Sequence, residues 1–255
     1  MDRTDKAQLP GAMADSRNGP AGLSYGAGAT LRRLLTMDED HDSLVVTIAY
    51  ELGLDIIAGR LKPGADLNSV HIAKRFQTSR TPAREALAML EKQGLVEIPP
   101  RRRARVQSLS LDRIRHIYEV RAALHALVAE LVAKTASDAE IALLREKLQA
   151  MQAAVESGDA YSYFDANMAF HEAATEICGN PMLQRMMDSF ALTTLRLRYR
   201  TLSQMDRIKR SVEDHSVLLR AFESRDPTLA AAITRANILS ALKLLEASQR
   251  TEGQY

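Results

Sequence analysis

The chain has 255 residues, a formal net charge of +2 and 46% hydrophobic residues, which allows two domains with buried cores and excludes disorder throughout. Its single cysteine, Cys178, excludes an internal disulfide framework. We find neither an apolar run of about eighteen residues nor a secretory leader, so we expect a soluble cytoplasmic protein with no membrane partner.

The first forty residues are rich in Gly, Ala, Asp and Arg, include Pro10 and Pro20, and show no sustained apolar period. This composition is typical of a flexible tail, and it leaves a short helix around residues 31–35 open. We predict a tail over residues 1–40, a small domain over 41–109 and a larger domain over 110–248.

The small domain begins with a predicted helix that has an apolar residue at every fourth position, at Leu44, Ile48, Leu52 and Ile56. Residues 68–96 then predict two short helices, a tight turn between them and a strand. The helical spacing of apolar residues in this pair includes Ile72, Ala73, Phe76, Ala83, Ala86, Leu87 and Leu90. Ser79 and Thr81 are both candidate N-caps of the second helix, and Pro82 suits its first turn. The pattern predicts a helix-turn-helix.

A pair of short strands over residues 95–98 and 105–109 follows, and the turn between them carries Arg101, Arg102 and Arg103. Residues 68–107 contain nine Lys or Arg and only three Glu. Arg80 and Arg84 lie four residues apart and share one face near the start of their helix. This pattern predicts a basic β-wing beside a DNA-reading helix, and a solvated charged surface is the alternative.

The run over residues 44–106, with its IIAGRLKPGADL, FQTSRTPAREAL and LEKQGLV segments, resembles the winged-helix domain of GntR-type bacterial transcription regulators. The resemblance implies that Arg80, Thr81 and Arg84 read or position double-stranded operator DNA. It also implies that the wing, with Arg101, Arg102, Arg103 and Arg105, touches the neighbouring minor groove. The glycine common at the family's wing tip is matched by Arg103.

From Leu111 onward, long helical patterns with few glycines predict an all-α bundle. The predicted helices cover residues 111–134, 138–156, 160–178, 181–202, 206–224 and 227–248, and the fourth leaves a break open. Their starts are marked by a Ser137–Glu140 capping box and by Asn180 and Asp226, each of which precedes a proline. The predicted fold class is therefore mainly α, with an N-terminal winged helix-turn-helix and a helical bundle.

Polar side chains interrupt the apolar stripes of four different bundle helices, at Arg121, Asn167, His171, His215 and Asn237. Buried polar groups are costly unless they are paired, so each one alone is best interpreted as a satisfied core residue. Taken together they predict a polar cavity in the middle of the bundle, because ligand sites in bundles are built from facing helices.

The region from about residue 111 to 245, with its NMAFHEAATEICGNP and EDHSVLLRAFESRDPTLAAA segments, resembles the FCD effector-binding domain of the FadR subfamily. That resemblance implies a divalent metal, zinc or nickel, on one Asp and three His. The matching positions here are Asn167, His171, His215 and Asn237, so two ligands are replaced by amides, which bind such metals more weakly.

A metal-free pocket that holds an organic anion is the alternative to the metal site. Arg121 is its natural carboxylate clamp, because a guanidinium offers two parallel donors, and an internal salt bridge is the competing interpretation. His125, Arg196 and Arg200 are weaker candidates for the same pocket.

The sequence and the two resemblances predict a homodimeric, ligand-responsive transcription regulator, a repressor released by a small carboxylate metabolite. A DNA-binding regulator with a degenerate cavity and no small-molecule input is the alternative. We predict no enzymatic activity, since no nucleophile–base motif or carboxylate pair accompanies the two histidines.

Overall fold

A computed structural model describes residues 25–36, 43–201 and 205–252. These residues form eleven helices and one three-stranded antiparallel sheet, which confirms the predicted mainly α fold with an N-terminal winged helix-turn-helix. In chain order the elements are α1 (Tyr25–Thr36), α2 (Ser43–Ile57), β1 (Asp66–Leu67), α3 (Ser69–Arg75), α4 (Arg80–Lys92), β2 (Val96–Glu97), β3 (Ala104–Val106), α5 (Leu111–Thr135), α6 (Asp138–Glu156), α7 (Ala160–Ile177), α8 (Pro181–Asp188), α9 (Ala191–Thr201), α10 (Met205–Glu223) and α11 (Pro227–Glu252).

Helix α1 corrects the prediction of a flexible tail through residue 40, which is wrong for residues 25–36. Its buried stripe consists of Ala27, Leu31, Leu34 and Leu35. Two glycines in the same helix permit close packing, because a β-carbon at Gly28 would lie 2.7 Å from the hydroxyl of Tyr50. The rest of the predicted tail, residues 1–24 and 37–40, lies outside the described residues.

The first domain packs α2, α3 and α4 around a shared core that includes Ile48, Leu52, Ile72, Ala83, Ala86, Leu87 and Leu90. Its sheet has the order β1-β3-β2, so β3 pairs with both neighbours. The sequence predicted the two wing strands and missed β1, which has only two residues and pairs Asp66 with Arg105. A strand of that length is too short to show an alternating pattern.

The second domain is a helical bundle in which α5 packs chiefly along α11 and α6 along α7. Helix starts follow the sequence signals: Ser137 and Glu140 form both bonds of a capping box, and the Asn180 side chain accepts from two backbone N–H groups. The predicted fourth helix is broken into α8 and α9. Helix α1 contacts α2 on one side and α7 and α9 on the other, so it joins the two domains.

Helix α11 is long and apolar enough over residues Pro227–Ser248 to cross a membrane by length and composition alone. One face of it is nevertheless buried in the bundle, at Ala230, Ile238, Ala241 and Leu245. Core helices of soluble proteins pass the same test, so this feature is weak evidence for a membrane span.

Candidate DNA-binding surface and effector cavity

Helix α4 buries one face and exposes the other. Ala83, Ala86, Leu87 and Leu90 are buried against the first domain, whereas Arg80, Thr81 and Arg84 are exposed. Of the two candidate N-caps, Ser79 holds the N-cap position without a side-chain hydrogen bond, and Thr81 is the second helical residue. The first turn of α4 therefore presents two arginines and a hydroxyl to solvent.

One groove brings together four of the seven predicted DNA-contacting residues; Thr81, Arg101 and Arg105 do not line it. Arg80 and Arg84 from α4 and Arg102 and Arg103 from the wing line it, opposite the start of α3. Glu85 is the acidic side chain among the described residues that line this groove. Four arginines from two elements thus face one concave surface, which suits the phosphate-lined edge of a duplex.

The wing turn is shaped by Arg101. Its φ of 60° lies in the left-handed region, and the backbone N–H of Arg102 donates to the carbonyl of Pro99 at 3.1 Å. Arg101 thus has the conformation that favours glycine, whereas the resemblance matches the family glycine to Arg103. Arg101, Arg102 and Arg103 are all exposed.

Arg105 differs from the other predicted DNA-binding residues. It lies directly opposite Glu97 in the β2–β3 register, and its Nε donates to the Glu97 carboxylate. Arg75, one of the nine basic residues of the segment, pairs with Asp55 at 2.8 Å. Part of the charge excess is therefore neutralised within the domain.

The bundle contains a cavity of about 190 Å³ bounded by α5, α7, α8, α9 and α1. The predicted residues Arg121 and His171 line it, and so does the weaker candidate His125. Arg33 and Thr30 of α1 line its outer side, although no pattern in the sequence connects them with it. The predicted residues Asn167, His215 and Asn237 lie deeper, beyond His171, and line two smaller cavities.

Three histidine rings meet at the inner end of the large cavity. The Nε2 atoms of His171 and His215 are 3.3 Å apart, and the ring centroids of His125 and His171 are 5.2 Å apart. His215 Nδ1 lies 2.6 Å from the carbonyl oxygen of Ser211, which assigns its proton to Nδ1. Burial lowers the pKa of His215 to about 4 and that of His125 and His171 well below the usual value, so all three rings are neutral at pH 7.

The residues at the family's metal position do not fit a divalent cation. An amide binds metal through its oxygen, and here Arg198 donates to Asn167 Oδ1 at 2.5 Å while Arg207 donates to Asn237 Oδ1 at 3.1 Å. The remaining Asn237 amide group donates to Asp214 at 2.7 Å. Both amide oxygens are thus occupied by cations, whose charge further opposes a metal ion.

Arg121 is 5% exposed, and its guanidinium lies over the Tyr118 ring, 5.4 Å from the centroid. Within the described part of the chain Arg121 forms no ion pair. The internal salt bridge that was its competing interpretation is therefore not found there. Arg198 and Arg207, which are 8% and 6% exposed, were not predicted from the sequence. A signal existed for Arg207, since Arg207, Ser211 and His215 recur every four residues on α10.

Arg196, one of the two weaker arginine candidates, does not join this cluster. Arg196 donates to the backbone carbonyl of Gln107 at 2.7 Å, where the bundle meets the wing, and the side chain of Arg200 lies outside the described residues. Burial lowers the pKa of Arg198 to about 9, so its guanidinium stays charged at neutral pH.

Two family descriptions match this chain. The one for bacterial regulatory proteins of the gntR family matches residues 44–106, and the one for the FCD domain matches residues 116–240. The chain therefore belongs to the GntR family of bacterial regulators and carries an FCD domain, as the sequence predicted.

Particular relatives agree with this assignment. The chain is 32% identical to the uncharacterized regulator YdhC of Bacillus subtilis over 52% of its own length and 60% of that protein. It is 28% identical to the gluconate operon transcriptional repressor of Bacillus subtilis, over 72% of this chain and 77% of that one. It is 26% identical to the repressor RspR of Escherichia coli, over 68% and 75%. The solved structure of Escherichia coli McbR/YncC shares the fold, with a TM-score of 0.66 at 22% identity over 82% of this chain and 99% of that one.

Proposed function

We propose that this protein is a DNA-binding transcription regulator, a repressor that releases its operator when a small organic acid binds in the bundle. The observation that carries this proposal is the groove in which Arg80 and Arg84 of α4 face Arg102 and Arg103 of the wing. The names of two relatives, both transcriptional repressors, support the repressor sign.

In this proposal α4 enters a major groove of the operator and the wing reaches the adjacent minor groove. The protein acts in the cytoplasm as a homodimer on two related half-sites. An apolar face on α5 supports a dimer: Val120 and Leu127, seven residues apart, are 51% and 39% exposed. Substituting both by Glu should shift the molar mass measured by light scattering from dimer to monomer.

The effector is held directly, without a metal. Arg121 and Arg198 line the inner end of the 190 Å³ cavity, whose volume suits a small metabolite. A carboxylate can receive two parallel N–H bonds from a guanidinium and offset the cost of burying it. The exposed carboxylates of Glu172 and Glu176 line the outer part, so the inner end is the one that attracts an anion.

Helix α1 is the route by which occupancy of the cavity reaches the DNA-binding domain. On the bundle side, Thr30 donates to Glu172 at 2.9 Å and Arg33 pairs with Asp188 at 3.0 Å. On the other side, the Gln93 amide, just after α4, donates to the carbonyl of Leu34 at 3.1 Å. A ligand that moves α1 therefore changes the position of α4. This change favours one of two arrangements of the DNA-binding domains.

The test begins with DNA selected by the protein itself from a random library. Binding of the selected DNA is then measured in the presence of a panel of small mono-, di- and hydroxycarboxylates, for the wild type and for Arg121→Met. We expect at least one acid to weaken DNA binding of the wild type and to lose its effect on Arg121→Met. If the protein selects no sequence, the regulator proposal fails as a whole.

The second candidate is a regulator without a small-molecule input, which the two amide replacements favour. It predicts an unchanged melting temperature across the carboxylate panel while selective DNA binding is retained. The two candidates are therefore separated by the ligand panel alone.

A further inference from the structure

Three buried arginines converge below the large cavity. Arg121 comes from α5, Arg198 from α9 and Arg207 from α10, and their exposed fractions are 5%, 8% and 6%. Within the described residues none of them forms an ion pair with a carboxylate. Asp214 and Glu172 act on Arg207 and Arg198 only through space. Burying one unpaired cation is costly, and three in one place repel each other.

The hydrogen bonds of this cluster are incomplete as well. The Nε and Nη1 atoms of Arg207 are buried without a hydrogen-bond partner among the described residues. Buried polar groups of this kind are almost always satisfied in folded proteins. Guanidinium donors require an acceptor, and the charge of the cluster favours a negative one.

A cavity of about 20 Å³ lies between the three arginines, and its lining includes Asn167, Ser211 and Asn237 beside Arg121, Arg198 and Arg207. This volume accommodates about one water-sized particle, so it suits a small ion better than the carbon skeleton of an organic acid. The cavity also borders Asn167 and Asn237, the two amides that stand at the positions of family metal ligands.

We propose that Arg121, Arg198 and Arg207 bind a small inorganic anion such as chloride at the place where the resemblance implies a metal cation. The amides remove the anionic oxygen and one imidazole that a metal would need, and their oxygens hold Arg198 and Arg207 in place instead. This site would thus hold an anion where the resemblance implies a cation. The negative charge of the bound anion offsets the repulsion among the three guanidiniums. Arg121 and Arg198 line both this cavity and the larger one proposed for the effector, whereas Arg207 lines only this one.

The full chain tests this inference by thermal denaturation at constant ionic strength, with chloride or bromide replacing the bulky anion methanesulfonate. We expect a saturable rise in melting temperature of about 5 °C in the wild type. Arg207→Met should abolish the saturable rise. It should also melt no lower than the wild type in methanesulfonate, because it removes a buried unpaired cation of similar shape. Arg220→Met, at an exposed arginine of the same helix, is the matched control and should respond as the wild type does.

The same thermal denaturation is repeated with formate, because its carboxylate is also a small anion that accepts guanidinium N–H bonds. Stabilisation by formate and not by halides would show that the cluster receives the carboxylate of the effector, and the inorganic anion would be ruled out. Equal halide effects in the wild type and Arg207→Met would show a general salt effect, and no halide effect would also overturn the inference. Crystals grown in bromide should show anomalous density among the three guanidiniums, and density without that peak would contradict the site even if Arg207→Met does not fold.

Discussion

The two domains use the same side chain in opposite environments. The winged helix exposes Arg80, Arg84 and Arg102 to water around an open groove, whereas the bundle buries Arg121 and Arg198 almost completely. An exposed guanidinium keeps its hydration and loses little when no partner is present. A buried one has lost its hydration and depends on a specific acceptor.

The difference indicates what each region recognises. Exposed arginines on two elements suit a long polyanion, to which each contact adds a modest, salt-dependent contribution. Buried arginines suit one small anion of defined shape, because the walls of the cavity that they line limit the size of the ligand. The same residue type therefore suits a nucleic-acid surface in one domain and, in our proposal, an anion-binding cavity in the other.

The largest expected effect concerns the joint between the two regions. Leu31 of α1 is fully buried, and a β-carbon at Gly53 of α2 would lie 2.9 Å from its Cδ2 atom. We expect Leu31→Ala to lower the free energy of unfolding by about 2–5 kcal/mol, measured by urea denaturation. Leu143→Ala, at a position 39% exposed on α6, is the control and should cost under about 0.5 kcal/mol. If Leu31→Ala lowers the free energy of unfolding as little as Leu143→Ala does, the packing of α1 does not stabilise the structure.

The next effect tests the exposed arginines of the wing. Replacing Arg101, Arg102 and Arg103 by Ala should flatten the dependence of DNA binding on salt, by about 0.9 in logarithmic slope for each phosphate that the wing no longer neutralises. Binding constants at several salt concentrations measure this slope. An unchanged slope would show that the wing does not contact phosphates, and the comparison with the buried arginines would then rest on α4 alone.

Arg84 sharpens the comparison on the helix. We expect Arg84→Ala to weaken binding to the selected operator by about 1–3 kcal/mol if it reads a base, with a much smaller loss on random DNA. Its stability should change little, because the side chain is exposed. Equal losses on both DNAs would instead identify a phosphate contact.

Local patterns were enough to predict most of the fold. The apolar spacing and Pro82 defined the helix-turn-helix, and capping residues such as Ser137 and Asn180 marked the bundle helices where they begin. Only residues 31–35 of helix α1 were left open as a short helix, because its glycines, which permit contact with Tyr50 and Asp165, are residues that typify a tail. A glycine's role in close packing depends on a partner distant in sequence.

The candidate site was predicted less completely. Interrupted stripes predicted Arg121, Asn167, His171, His215 and Asn237, and the structure places them around three cavities that all have His171 in their lining. Arg198 was not predicted because it lies among other arginines on α9. Arg196 and Arg198 are both buried, and sequence alone does not tell which of them lines the cavity. That choice depends on where the break between α8 and α9 sets the rotation of the helix.

The smallest expected effect concerns Arg105, which was predicted to bind DNA but is paired with Glu97 across the wing. Such a partly exposed pair contributes about 0–1 kcal/mol to stability, and its charge is already balanced. We therefore expect Arg105→Ala to change DNA affinity by less than a single substitution at Arg102, in titrations at one salt concentration. Glu97→Gln, which frees the guanidinium, should strengthen binding slightly. A loss at Arg105 as large as that at Arg102 would mean that DNA displaces Glu97, and the wing would then contact DNA with its strand as well as its turn.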